Sequence, residues 1–167
     1  MIPLLLKKDD LPNNTIIGGS VDPNLYAMSI KDREIFVIEF LLGTKLYDKI
    51  LADFNAKTLE GVYETLYTEY VKPILIYSVA SEFIATHNYK VTNGGVYRNS
   101  PDNAEAASKK EVDFVAREYS LKSEAYISRL KKFLCTISIP EYTQSQDNQY
   151  DIYPNREMHY TGGWLLH

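Results

Sequence analysis

Thr58-Leu-Glu-Gly-Val-Tyr-Glu-Thr-Leu-Tyr-Thr-Glu-Tyr-Val-Lys-Pro-Ile-Leu-Ile-Tyr-Ser-Val-Ala-Ser-Glu-Phe-Ile-Ala-Thr-His87 is the stretch that decides the fold. Val62, Leu66, Tyr70, Ile74 and Tyr77, then Ser81 to Ile84, recur at steps of three and four residues. That is the spacing of one helix face, not the alternation of a strand. The pattern predicts a helix that starts at Thr58 and ends at about His87. Pro73 lies inside it, lacks a backbone N–H and crowds the preceding turn. A kink is expected there, costing up to ~3 kcal/mol unless packing offsets it.

Toward the N-terminus, Ser29-Ile30-Lys31-Asp32 sets a hydroxyl three residues ahead of a carboxylate, a capping-box variant that predicts a helix start. Ile35, Phe36, Ile38, Glu39 and Leu42 continue with helical spacing, and Gly43 ends or kinks the element. Thr44 is placed to cap a second piece, Lys45–Phe54, with Leu46, Ile50 and Leu51 inward. Residues 1–28 contain Pro3, Pro12, Gly18, Gly19 and Pro23, which exclude a long helix. They are expected to form an extended arm with turns and at most a short helix near Asp22–Met28.

On the C-terminal side, Tyr89–Asn99 reads as two short strands about the turn Asn93-Gly94-Gly95, whose glycines supply positive backbone angles. A lone hairpin is marginal in water, so this one must lean on helices or on a neighbouring subunit. Ser100-Pro101-Asp102 is a helix-entry signal, and Ser108-Lys-Lys-Glu111 is a capping box. Val112, Val115, Tyr119, Tyr126, Leu130 and Phe133 then form a stripe ending near Thr136, with Pro140 at the exit. Residues 137–167 hold one Arg against four acids, yet also Tyr142, Tyr150, Tyr153, Tyr160 and Trp164. Polar spacing with periodic rings suits a segment that orders against a partner. The expected class is mainly α: a small helical bundle over 29–136 with a hairpin at 89–99, and extended arms at 1–28 and 137–167.

Composition narrows the function. The 167 residues are 45% hydrophobic, enough for a core. A net charge of -4 argues against gripping DNA by counterion release as the main task. The lone Cys135 excludes an internal disulfide and a multi-cysteine zinc site, and is expected as a small buried hydrophobe. No apolar run approaches the ~20 residues that span a bilayer, and no basic region precedes a long apolar run at the N-terminus. Neither membrane insertion nor secretion is expected.

Nothing in the chain spells a reaction. His87, His159 and His167 lack metal-ligand spacing. The pairs Glu60/Glu64 and Glu64/Glu69 lie off the apolar stripe with Lys57 and Lys72 nearby, as on a solvated face. Gly18-Gly19, Gly94-Gly95 and Gly162-Gly163 have no phosphate-loop pattern. The last helix carries Lys109, Lys110, Arg117, Lys122, Arg129, Lys131 and Lys132 against Glu111, Asp113, Glu118 and Glu124. Such a mixture fits cross-turn ion pairs or an acidic neighbouring subunit. Within it, Lys109, Lys110, Lys131 and Lys132 are candidates to meet nucleic acid. The expectation is a structural protein with no enzymatic activity, cofactor or metal.

Several blocks resemble a known family. Ser29-Ile-Lys-Asp-Arg-Glu running into Phe40-Leu-Leu-Gly-Thr-Lys-Leu-Tyr-Asp-Lys-Ile50 resembles the first helical block of head–tail connector proteins of tailed bacteriophages. Tyr70-Val-Lys-Pro-Ile-Leu-Ile-Tyr77 resembles their second block. Val91-Thr-Asn-Gly-Gly-Val-Tyr97 and Ser100-Pro-Asp-Asn-Ala-Glu-Ala-Ala-Ser108 resemble the loop before their last long helix, and Tyr126 to Cys135 resembles that helix's end. The likeness spans roughly residues 29–136 and is nearest to neck-ring proteins of crAss-like phages.

It implies a virion protein made in the host cytoplasm that forms a cyclic ring of about a dozen copies below the portal. The ring would join portal to tail, or to a second neck ring, around packaged DNA met only by non-specific proximity, with Lys109, Lys110, Lys131 and Lys132 as the candidates to line its channel. Hairpin residues Val91, Asn93, Gly94, Gly95 and Tyr97, and tail residues Tyr150, Tyr153, Tyr160 and Trp164, are the expected interface. The alternatives are a tail-completion or capsid-associated phage protein, a DNA-binding helical adaptor, or an enzyme whose site forms between chains.

Overall fold

The computed structural model describes residues 4–7, 9–87, 89–92, 95–98 and 107–142, with 89–92 and 95–98 described as backbone. The architecture is mainly α, as the periodicity predicts. A short helix α1 (Asp10–Asn14) precedes α2 (Pro23–Arg33), which continues through a π-helical turn, Glu34–Glu39, into α3 (Phe40–Leu42). Then come α4 (Thr44–Ala56), α5 (Gly61–Leu66), a second π turn (Tyr67–Val71), α6 (Lys72–His87) and α7 (Lys109–Thr136). Between the last two, β1 (Tyr89–Thr92) and β2 (Gly95–Arg98) pair antiparallel, Val91 opposite Val96 and Lys90 opposite Tyr97.

The helix of α2 begins earlier than Ser29. Asp22 caps it by accepting from the Asn24 N–H, and Pro23 fills the first turn, where its missing donor is harmless. Ser29 is a buried interior residue instead of a cap. An Asp-Pro start outcompetes a serine that already lies within a helix-compatible run. Gly43 ends the element with φ 76°, a conformation that strains a side chain.

Both π turns sit where the buried pattern steps by four. Tyr26, Ile30, Glu34, Ile38 and Leu42 are all buried. Four residues of α-helix turn through 400°, so such a series drifts by about 40° at each step. A wider π turn removes much of that drift and keeps Ile38 and Leu42 on the face begun by Tyr26. Tyr67, Val71, Leu75 and Val79, all buried, repeat the arrangement around the second π turn. That turn also leads directly into Pro73, where an inserted residue loosens the crowding expected of proline. The element begins at Gly61, three residues after the predicted Thr58.

α6 is the central helix. Ile74, Leu75, Ile76, Val79, Ala80 and Phe83 are buried, and α1, α2 and α7 pack against it. α7 starts with the predicted capping box: Ser108 accepts from the Glu111 N–H and Glu111 accepts from the Ser108 N–H. It turns Ala116, Tyr119, Ser123, Leu130 and Leu134 inward.

Two expectations need correction. Residues 4–7 and 9–28 are not an extended arm. Leu5, Leu6, Leu11 and Ile17 belong to the core, and Lys72 pairs with Asp10 at 2.6 Å. Proline and glycine bar a long helix, but they do not prevent the leucines between them from finding an apolar surface. Cys135 is exposed, because Leu130 and Leu134 take the inward positions of the final turns. The start of the C-terminal segment is also docked: Ile139 is buried and the Tyr63 hydroxyl donates to Glu141 at 2.7 Å.

Candidate functional site

The first long helix leaves one face bare. Leu25, Met28, Ile35, Phe36 and Phe40 are exposed, Phe36 by 71% and Phe40 by 82%. Leu25, Met28, Asp32, Phe36 and Phe40 follow one another at steps of three and four, opposite the buried series from Tyr26 to Leu42. The π turn that holds the inner series in line does the same for this outer one. Single exposed apolar residues mean little, but a contiguous stripe marks an interaction surface.

Two of the basic residues of α7 lie over aromatic rings. Lys122 lies 5.7 Å from the Tyr77 ring and 5.0 Å from the Tyr119 ring. Arg129 lies 5.7 Å from the Tyr70 ring and 5.1 Å from the Tyr126 ring. These two cover the aromatic seam between α6 and α7, a cation–π arrangement. The four candidate channel lysines are exposed. Lys109 and Lys110 stand at one end of α7, Lys131 and Lys132 at the other, about 33 Å apart along the axis. The structure does not gather them into a cluster.

The tyrosines act mainly inside. Tyr67 donates to the Leu5 carbonyl at 2.7 Å, and Tyr119 accepts from the Ile16 N–H at 3.0 Å. Tyr70 stacks on Phe133 and Tyr77 on Tyr119. Hydroxyls thus tie the N-terminal segment and Glu141 to the bundle while rings fill the seam. Sequence reasoning missed this role. The available signal was the set of tyrosines within the helical stripes.

It also missed Glu34, a buried carboxyl on the inner face of the first helix. The Leu5 N–H donates to Oε1 at 2.5 Å and the Tyr47 hydroxyl to Oε2 at 3.4 Å. Burial pushes the Glu34 pKa up to about 7, against the lowering effect of those two bonds. Burial, then the Glu34 charge, pushes Tyr47 up to about 12. The signal for Glu34 was its place in the four-step apolar series. Its partners are a backbone amide and a phenol, which makes it a clamp on the N-terminal segment.

A cleft of about 170 Å³ lies between the first helix, α6 and α7. Ser81 donates to the Ala116 carbonyl and Ser123 to the Ile74 carbonyl, while Arg33 pairs with Glu82 at 2.5 Å. Ser81 and Ser123 thus hold α6 against α7, while Ser78 donates to the Leu75 carbonyl and Ser120 to Glu124 within their own helices. Among the described residues no three His, Cys, Asp or Glu side chains gather as a metal site. Among the same residues, no helix is long and apolar enough to cross a membrane. Glu60, Glu64 and Glu69 are exposed, and His87 stacks on Phe83 at the end of α6.

Of the expected interface, the backbone of Val91, Gly95 and Tyr97 lies in the strand pair. Asn93, Gly94, Tyr150, Tyr153, Tyr160, Trp164, His159, His167 and Ser100–Asp102 fall outside the described residues.

A sequence family described as "Family of unknown function (DUF6712)" matches residues 38–152, well over half of the 167-residue chain. The chain belongs to the DUF6712 family. The match takes in α4 to α7 and the strand pair, and begins at Ile38 within the first π turn. The N-terminal segment and most of α2 precede it, although Leu5, Leu11, Tyr26 and Ile30 are core residues of the same bundle. No curated protein and no solved structure matches the chain.

Proposed function

We propose that this DUF6712 protein is a structural component of a tailed-phage virion, a head–tail connector that forms a ring between portal and tail around the DNA channel. One observation carries the assembly part: the first helix leaves Leu25, Met28, Phe36 and Phe40 exposed along one stripe. A surface of that kind is spent on a partner. The resemblance of residues 29–136 to phage connectors supplies the setting. A ring requires a heterologous contact, with different surfaces of each copy meeting. The hairpin over 89–99 and residues 143–167, with Tyr150, Tyr153, Tyr160 and Trp164, are the segments assigned to neighbouring subunits, portal or tail. The N-terminal segment is given no part in this, since Leu5, Leu6, Leu11 and Ile17 are used within its own bundle.

The test is the copy number of the chain per virion, measured by quantitative mass spectrometry against the portal and major capsid proteins. Near parity with the portal is expected. Absence would make it an assembly factor, and hundreds of copies would make it a shell or tail component. Either result rejects the connector.

A further inference from the structure

The outer face of α7 carries a second exposed stripe. Lys110, Phe114, Arg117, Leu121, Ala125, Ser128 and Lys132 are separated by steps of four and three, and all are exposed. These steps place them on one line along the helix, opposite the inward Tyr119, Leu130 and Leu134. Three of the seven are cations and none is an acid, while Asp113, Glu118 and Glu124 adjoin Phe114, Arg117 and Ala125. The first helix's stripe is the converse: Leu25, Met28, Phe36 and Phe40 are interleaved with Asp32, and Glu39 adjoins Phe40. Among the described residues no ion pair engages Asp32, Lys110, Arg117 or Lys132.

We propose that these two stripes are the two halves of one contact between copies of this chain, the acidic apolar face of the first helix on one copy lying along the basic face of α7 on the next. This deepens the ring reading above and rests on it for the assembly that the contact builds.

Three observations favour a second copy as the occupant. The stripes are opposite in charge, so unlike faces attract while like faces would set acid against acid or base against base. Both carry exposed apolar side chains, Phe36 and Phe40 on one and Phe114 and Leu121 on the other. Ala125 and Ser128 are small enough to admit a ring beside Leu121. Leu25 to Phe40 spans about 22 Å of helix and Lys110 to Lys132 about 33 Å, so the basic stripe can receive the whole acidic one. The two helices also reach the core through α6, which packs against each of them. Each stripe lies opposite the buried side chains of its own helix, so both face outward. Contact between two different faces propagates from copy to copy, the condition for a ring.

The test uses the full chain and two charge-reversed variants, Asp32→Lys with Glu39→Lys, and Lys110→Glu with Arg117→Glu. All changed positions are exposed or half-buried, and circular dichroism checks folding. Sedimentation velocity over a concentration series should show wild type self-associating, more weakly as ionic strength rises. Each variant alone should associate at least about tenfold more weakly. Mixing the two variants should restore association, because reversed acidic faces now match reversed basic ones. Misfolding would not produce that rescue.

Wild type monomeric at every concentration, variants that associate as well as wild type, or mixtures without rescue would each overturn the proposal. So would loss of duplex DNA binding by Lys110→Glu with Arg117→Glu while self-association is unchanged, since the basic stripe would then serve nucleic acid. A wild-type monomer that assembles after truncation at Tyr142 would show that the chain's own tail covers a stripe, and would also overturn it. Portal-level copy number with unaffected variants removes this contact and leaves the ring. Association through these faces without virion incorporation removes the ring's setting and leaves the contact.

Discussion

The N-terminal segment and the outer face of the first helix are neighbours in sequence and opposites in how they treat apolar side chains. Residues 4–21 are broken by Pro12, Gly18 and Gly19, yet they bury Leu5, Leu6, Leu11 and Ile17. The residues from Pro23 to Leu42 are helical throughout, yet expose Leu25, Met28, Phe36 and Phe40. Regularity therefore does not predict burial here. The segment is short of local structure and is held by tertiary bonds: Glu34 and Tyr67 to Leu5, Tyr119 to Ile16, Lys72 to Asp10. The helix has structure to spare and keeps one face for something else.

The sharpest way to break this contrast is Leu11→Ala. If the segment is core, the change leaves a cavity and should lower unfolding free energy by about 2–5 kcal/mol in chemical denaturation. A loss below about 0.5 kcal/mol would return the segment to the status of an arm.

The clamp at Glu34 comes next. Its folded pKa of about 7 lies above the ordinary 4.5, so folding favours the protonated form. The stability from this group is present in full below about pH 4.5 and is lost as pH rises through about 7. Glu34→Gln keeps the neutral shape and cannot titrate. The difference in unfolding free energy between wild type and Glu34→Gln should therefore slope downward with pH across that window, and a flat difference would remove the clamp. Glu111, held below the usual range by the Ser108 hydroxyl and N–H, acts in the opposite sense in both proteins and cancels from the difference.

Tyr67→Phe removes the hydroxyl on the Leu5 carbonyl. About 0.5–1.5 kcal/mol should be lost, together with faster amide exchange at Leu5 and Leu6. Unchanged exchange would mean that the ring packs but does not tether.

The smallest effect is expected on the other side of the comparison. Phe36→Ser with Phe40→Ser should change monomer stability by no more than about 0.5 kcal/mol, because neither ring is buried within the chain. A large loss would mean that these rings serve the fold and not a partner.

Much of the architecture was legible because it depends on local chemistry. Three- and four-residue spacing marked the helices, Ser108 with Glu111 marked the start of α7, and Gly43 marked a boundary. The start at Asp22 was also written locally but was masked by the stronger-looking serine at Ser29. The four-step runs from Tyr26 to Leu42 and from Tyr67 to Val79 held the signature of the π turns, which a three-and-four template blurs into an ordinary helix.

By itself, then, the sequence determined which stretches are helical, where several of them are capped or broken, and that large apolar side chains recur in stripes, because these follow from bonds and spacings within a few residues. Only the tertiary structure decided which stripe is core and which is surface. Leu5 and Phe40 are both large apolar residues, one buried by the bundle and the other left in water. That outcome depends on whether a distant surface is within reach. It is likewise the fold, by enclosing Glu34 and pointing Tyr67 at Leu5, that makes a clamp from residues far apart in the chain.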